Sequence, residues 1–243
     1  MRSIRRAIGW AAALAILAAF ALIVWSMVRG RPQDLPWTPL DLGEPIGLFT
    51  GTKLARLGDD FPRCQSLMDR AGIDYRVLPD RHDSPECGYS DGVTLAKGGA
   101  RRIALSPSDV GIGCPVAAAL AMWEWDVVQP AARDVLGTRI ARIDHFGSYN
   151  CRRMYGRDTG SWSEHATANA IDIAGFRTAN GHRITVAKDW KGSDAEARFL
   201  RRVRDGACRL FSTVLSPDYN AAHRDHLHLD QAARGAWGGR SCR

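Results

Sequence analysis

Two short segments, far apart in the chain, share an alternation that suits a sheet with one buried face. In Ala170-Ile171-Asp172-Ile173-Ala174 the isoleucines fall on one face of an extended strand and Asp172 on the other. In the stretch 226–230, Leu227 and Leu229 point one way and His226, His228 and Asp230 the other. Each strand therefore buries an aliphatic face and offers a polar one. Placed in one sheet, the two bring Asp172 and His228 together, and His165 can reach them from the preceding loop. Two imidazoles and one carboxylate are a common zinc-ligand set, and three protein ligands leave a position open for water. The competing reading is a solvated polar face without metal. The same pattern in both segments favours one zinc ion held by His165, Asp172 and His228.

The rest of the chain reads as α+β. A short helix is expected from Phe61 to Ala71, and strands at Tyr75–Leu78 and Gly92–Leu95. Pro115–Val128 reads as a buried helix, with Pro130 starting another that ends before Gly137. Asn180-Gly181 is a hairpin signal between Phe176 and the strand 183–187. Ser193 to Glu196 has the form of a capping box. The helix it opens carries Phe199, Leu200, Val203, Ala207, Leu210, Phe211 and Val214 at helical spacing and ends before Pro217. The expected architecture is a small, mostly antiparallel sheet with the zinc site on one face and helices packed on the other. One N-terminal transmembrane helix precedes it.

That helix is read from residues 7–28, an uncharged apolar run long enough to span a bilayer. A cleaved signal peptide has a shorter apolar region and a small-residue exit, whereas this run leaves through Trp25-Ser26-Met27-Val28. Arg2, Arg5 and Arg6 in the segment 1–6 bias the N-terminus to the cytoplasm and the remainder to the far side. Residues 29–45, with Pro32, Pro36, Pro39 and Pro45, read as an extended tether, and residues 46–243 as the folded domain. Six cysteines, at 64, 87, 114, 151, 208 and 242, contain no Cys-x-x-Cys. Behind a membrane segment they suggest disulfides in an oxidising compartment. The expected pairing is between neighbours: Cys64 with Cys87, Cys114 with Cys151, and Cys208 with Cys242. His82, Asp83 and Glu86 near Cys87 read as a polar loop. The net charge of +7 suits an anionic neighbour. The basic residues are scattered, which speaks against nucleic acid.

Ser163, His165, Ala170 and Asp172 resemble the Ser-x-His-x-x-Gly-x-Ala-x-Asp pattern of the D-Ala-D-Ala metallopeptidases. His226 and His228 resemble the second motif of the wider group that includes lysostaphin-type endopeptidases and Hedgehog domains. More closely, the stretches 147–152, 163–166, 170–176 and 219–230 resemble the bacterial extensin-like C-terminal domain family, from about Cys64 to Cys242. The resemblance implies a zinc peptidase, with Arg152 gripping a substrate carboxylate through a bidentate fork. It also implies a base three residues before the last ligand, where this chain has Asp225. Geometry gives two other candidates for that proton-transfer role. His226 shares the strand face of His228 and ranks first; His223 ranks second and Asp225 third. Ala168 stands where the D-Ala-D-Ala branch has glycine, and Glu164 reads as solvated. A zinc hydrolase anchored in a bacterial inner membrane, with its domain in the periplasm, faces peptidoglycan peptides. The alternative is a non-catalytic zinc module binding the wall or a protein.

Overall fold

The computed structural model describes residues 2–96, 104–234 and 239–243. It opens with α1 (Arg2–Arg29), of which Ile4–Ser26 is long and apolar enough to cross a membrane. Then come α2 (Thr50–Ala55), α3 (Phe61–Arg70), β1 (Tyr75–Val77), β2 (Arg81–Ser84), β3 (Cys87–Tyr89) and β4 (Gly92–Leu95). They are followed by β5 (Leu105–Ser106), β6 (Ile112–Gly113), α4 (Cys114–Trp123), α5 (Gln129–Leu136) and β7 (Ile140–Gly147). The chain closes with β8 (Ala170–Thr178), β9 (Arg183–Thr185), α6 (Val186–Asp189), α7 (Ala195–Ala207), β10 (Thr213–Leu215), β11 (Leu227–Asp230) and β12 (Ser241–Cys242).

The main sheet runs β12-β10-β11-β8-β7-β5, with β9 paired to β8. Its pairings are antiparallel except at the two outer positions, β10 with β12 and β5 with β7. The expected mixed α+β fold with a largely antiparallel sheet is what forms. Its aliphatic face is covered by helices. Every residue of α4 is buried, and Phe176 of β8 lies 5.9 Å from Trp123 of α4 and 5.0 Å from Phe199 of α7 between ring centroids. The indole N–H of Trp123 donates to the Val203 carbonyl at 2.8 Å, so this large core ring buries no unpaired donor. Burial of side chains of this size stabilises by about 1.5–3 kcal/mol each. The Asn180-Gly181 turn joins β8 to β9 as expected, with Gly181 at φ 87°.

Several local expectations are corrected. The chain does not break at Pro130. It passes from α4 through one wide turn, Glu124–Val128, into α5, with helical dihedrals at Trp123, Glu124, Val128 and Gln129. Widening the turn accommodates a ring that cannot donate and that crowds the preceding turn. Helix α7 stops at Ala207, well before Pro217. Leu210, Phe211 and Val214 continue the apolar spacing past the helix, and Val214 pairs with Leu229 as a strand residue. The cap of α7 is Asp194, whose carboxylate accepts from the Ala197 amide at 2.8 Å; Ser193 lies one residue outside. The strand after Asn180-Gly181 ends at Thr185, and Val186 and Ala187 turn into α6.

The disulfides are Cys64–Cys114, Cys87–Cys151 and Cys208–Cys242, so two of the three expected pairs exchange partners. Cys64 sits on α3, which packs against α4 and meets Cys114 at its first residue. Cys87 opens β3 in the β2–β3 hairpin and joins Cys151, beyond the end of β7. His82 and Asp83 lie on that hairpin, with Glu86 in its turn, as a polar surface element. The stretch 29–45 also differs from a free tether. Leu40 and Leu42 are core residues, as is Ile46 just beyond, and Gln33 is 2% exposed.

Candidate metal centre

The site begins with strand register. His228 on β11 lies directly across from Asp172 on β8, with Leu227 and Leu229 opposite Ile173 and Ile171. The aliphatic pairs bury the underside, and a slip of one residue would exchange the faces. His165 arrives from a short turn, Glu164–Thr167, that closes on Ala168 in the left-handed region at φ 54°. The Ser163 hydroxyl accepts from the His165 amide at the start of this turn.

Three atoms meet. His165 Nε2 lies 3.2 Å from Asp172 Oδ1 and 3.1 Å from His228 Nδ1, and His228 Nδ1 lies 3.0 Å from Asp172 Oδ1. These three residues could hold a metal ion. The opposite nitrogens are already committed. His165 Nδ1 donates to the Ser148 carbonyl at 2.5 Å, and His228 Nε2 donates to the buried Asp230 carboxylate at 3.0 Å. With those protons assigned, the inner nitrogens of both neutral rings present lone pairs to each other and to a carboxylate. Only a cation, a proton or a metal, relieves that arrangement. The separations also suit a metal, since tetrahedral ligands about 2.0–2.1 Å from zinc stand roughly 3.3 Å apart. Titration follows the same logic. Burial pushes the Asp172 carboxyl up, but hydrogen bonds and charge from His165 and His228 outweigh it and hold the group well below the usual carboxylate range. Burial pulls the His228 imidazole down, but Asp172 and Asp230 outweigh it and raise it to about 9.

These residues line a cavity of about 390 Å³ together with His223, His226 and Arg152. His226 Nε2 is 3.5 Å from Asp172 Oδ1, and its Nδ1 bonds Asp225 Oδ1 at 2.9 Å. Asp225 therefore stands behind His226 and is not a lining residue. His223 Nδ1 donates to Asn220 Oδ1 at 2.7 Å. Burial and the neighbouring His226 and His228 charges lower its imidazole to about 4. The Arg152 guanidinium lines the cavity and makes no ion pair among the described residues. His182 lies elsewhere, exposed, against Glu196.

A family model, that of the extensin-like protein C-terminus, matches residues 62–243. The chain belongs to that family. No curated protein and no solved structure matches it.

In this extensin-like domain some site residues escape a reading of the sequence. Glu164 is half-buried in the cavity wall, and Asn169 donates to its carboxylate at 2.6 Å. Burial pushes that carboxyl up, the Asn169 bond opposes the shift, and the nearby Asp230 charge adds to it. Nothing in the local pattern separates this glutamate from a solvated one. Asp230 could have been found, because it shares a strand face with His228 at a spacing of two. The Ser148 carbonyl could not, since a backbone acceptor has no residue signature. Arg234 also lines the cavity, with its guanidinium on the Thr213 hydroxyl.

Proposed function

We propose that this chain is a zinc metallopeptidase-like protein, anchored by α1 in a bacterial inner membrane, that hydrolyses a peptide bond of peptidoglycan in the periplasm. The observation that carries the reading is the convergence of His165, Asp172 and His228, with both imidazoles oriented by acceptors on their far sides. Carboxylate and carbonyl partners of this kind fix the tautomer of a metal-ligating histidine and raise its basicity. The ligand pattern also resembles that of the D-Ala-D-Ala metallopeptidases. The long apolar helix and three disulfides fit a domain outside the cytoplasm.

Zinc, when bound there, supplies a water acidified to a pKa of about 7 and a Lewis acid for the scissile carbonyl. The chain supplies the rest. His226 Nε2 faces the ligand cluster, while Asp225 fixes its Nδ1, so this ring can hold and release a proton at Nε2. His223, oriented by Asn220, leaves its own Nε2 for the cavity as a second proton acceptor. Arg152 offers a planar fork to a substrate carboxylate.

A second reading, a zinc-containing module that binds wall peptide or a protein without turnover, draws on one observation. The carboxylate at position 225 is bonded to His226 and does not line the cavity. Digestion of purified sacculi by the protein, with and without chelator, followed by mass analysis of the fragments, tests the proposal. Zinc-dependent release of peptide fragments is expected. Protein that carries zinc and releases none establishes the binding module in its place.

A further inference from the structure

The stretch between α1 and the domain is too short to let the domain float. Gln33 is already buried, so only Gly30, Arg31 and Pro32 separate it from the end of α1 at Arg29. Three extended residues reach about 10 Å. The polar headgroup layer is itself roughly 5–7 Å deep on each side of a bilayer. Wherever α1 crosses, the part of the domain around Gln33 lies at the headgroups.

That part is rigid. The Thr38 hydroxyl bonds the Pro32 and Leu35 carbonyls. The Lys53 ammonium, 8% exposed, reaches the Pro32 carbonyl, the Gln33 side chain and the Thr38 hydroxyl at 3.4, 3.2 and 2.9 Å. The Phe49 amide donates to the Gln33 carbonyl, and the Leu48 amide to Asp34. Residues 32–38 are thus folded back on themselves and held beside residues 47–49. Trp37 sits next to the junction at 76% exposure, and Leu48 stands at 75% exposure. Two large apolar side chains this exposed beside a membrane helix stand out in a domain that buries Leu40, Leu42, Leu54 and Leu57.

Charge gathers beside Leu48. A cavity of about 280 Å³ is lined by Arg31, Arg209, Arg240, Asp34 and Leu48. Among the described residues, Arg209 and Arg240 bond backbone carbonyls alone: Ile46 for the first, and Cys208, Arg209 and Leu48 for the second. Asp34 pairs with Arg31 at 3.6 Å. Three guanidiniums therefore face one carboxylate. Tryptophan favours the interface, and guanidinium forks match phosphate.

We propose that this face, with Trp37 and Leu48 dipping into the interface and Arg31, Arg209 and Arg240 engaging lipid phosphates, docks the domain on the anionic surface of the bilayer that α1 crosses. The proposal rests on the reading of α1 as a membrane helix. Full-length protein in vesicles tests both. The lipids carry bromine near the headgroup end of the acyl chain and are either all phosphatidylcholine or mixed with phosphatidylglycerol. Subtracting the emission of Trp37→Phe isolates Trp37, and subtracting that of Trp25→Phe isolates a tryptophan of α1. We expect both to be quenched, Trp37 more strongly in the anionic vesicles. The charge and surface changes Arg31→Glu and Leu48→Ser, both at exposed positions, should abolish the Trp37 signal alone. Quenching of Trp25 without Trp37 overturns the docking and leaves the anchor standing, as does Trp37 quenching that ignores lipid charge. No quenching of either overturns the anchor itself.

Discussion

Replacing Asp230 with Asn probes the cluster without touching a ligand. Asp230 is 4% exposed and uses both carboxylate oxygens: Oδ2 accepts from His228 Nε2 at 3.0 Å, and Oδ1 accepts from the Ala232 amide at 3.0 Å. Asparagine has one acceptor oxygen and one amide that only donates. Whichever way it turns, one of the two donors loses its partner. If the loser is His228, the ring is no longer held with its inner nitrogen free. A charge-assisted bond to a buried group is worth about 1.5–3 kcal/mol. Loss of such a partner behind a metal ligand lowers metal affinity by about 10–100-fold, or about 1.4–2.7 kcal/mol. Competition for zinc against a chromophoric chelator at neutral pH measures this directly. Thermal unfolding of the metal-free proteins separates weakened binding from weakened folding. Wild-type zinc affinity in Asp230→Asn, beside a His228→Ala protein that has lost the metal, would refute the orienting role.

His228→Ala should lose zinc and activity together, while His226→Ala keeps the metal and slows turnover by about 10²–10⁴-fold; equal zinc loss in both would reassign His226 as a ligand. Arg152→Ala should raise KM with little change in kcat, read from initial rates on peptides that carry a free carboxylate. Glu124, buried beside Gln129, has its carboxyl pushed up by burial from 4.5 to about 7, against the pull of the Gln129 bond and Arg133. The folded state thus binds its proton more tightly. The stability this gives is present below about pH 4.5 and is lost as pH rises through about 7, a change of about 3 kcal/mol. Glu124→Gln should therefore raise the melting temperature well above pH 7 and change it little in acid. Removing Cys87–Cys151, which closes a separation of 64 residues, should cost up to about 4 kcal/mol of unfolding free energy in denaturant titrations.

The sheet under the site was readable because its signal is local. Ile171 and Ile173 against Leu227 and Leu229 set which face is buried, and the register across β8 and β11 follows from that choice. The features that misread depend on contacts between distant segments. Cys64 finds Cys114 only because α3 packs on α4. The prolines of 29–45 read as a linker, yet Leu40, Leu42 and Ile46 belong to the buried core of the domain. Helix α7 overshoots in the sequence because β10 repeats its apolar spacing. Ala168 is legible as a departure from glycine, and the structure gives the reason glycine suits the position: its backbone is left-handed, at a cost for a residue with a Cβ of about 1–2 kcal/mol.

The cavity and the arginine-rich face are tied to each other through the edge of one sheet. Thr213 on β10 lies across from Asp230, which orients His228, and Leu215 lies across from His228 itself. Arg209 stands four residues before Thr213, directly after Cys208 of the Cys208–Cys242 bond, and Arg240 immediately precedes β12, which pairs with β10. Strand pairing and a disulfide thus fix the distance from Arg209 and Arg240 to the candidate metal ligands. If the face lies on the bilayer, the cavity has a set height above it, and four residues of extended chain span only about 13 Å. A site held that low would meet wall peptides next to the membrane before those in outer layers. Its reach would be set by the length of the substrate, because the three residues between Arg29 and Gln33 leave the domain little freedom to extend.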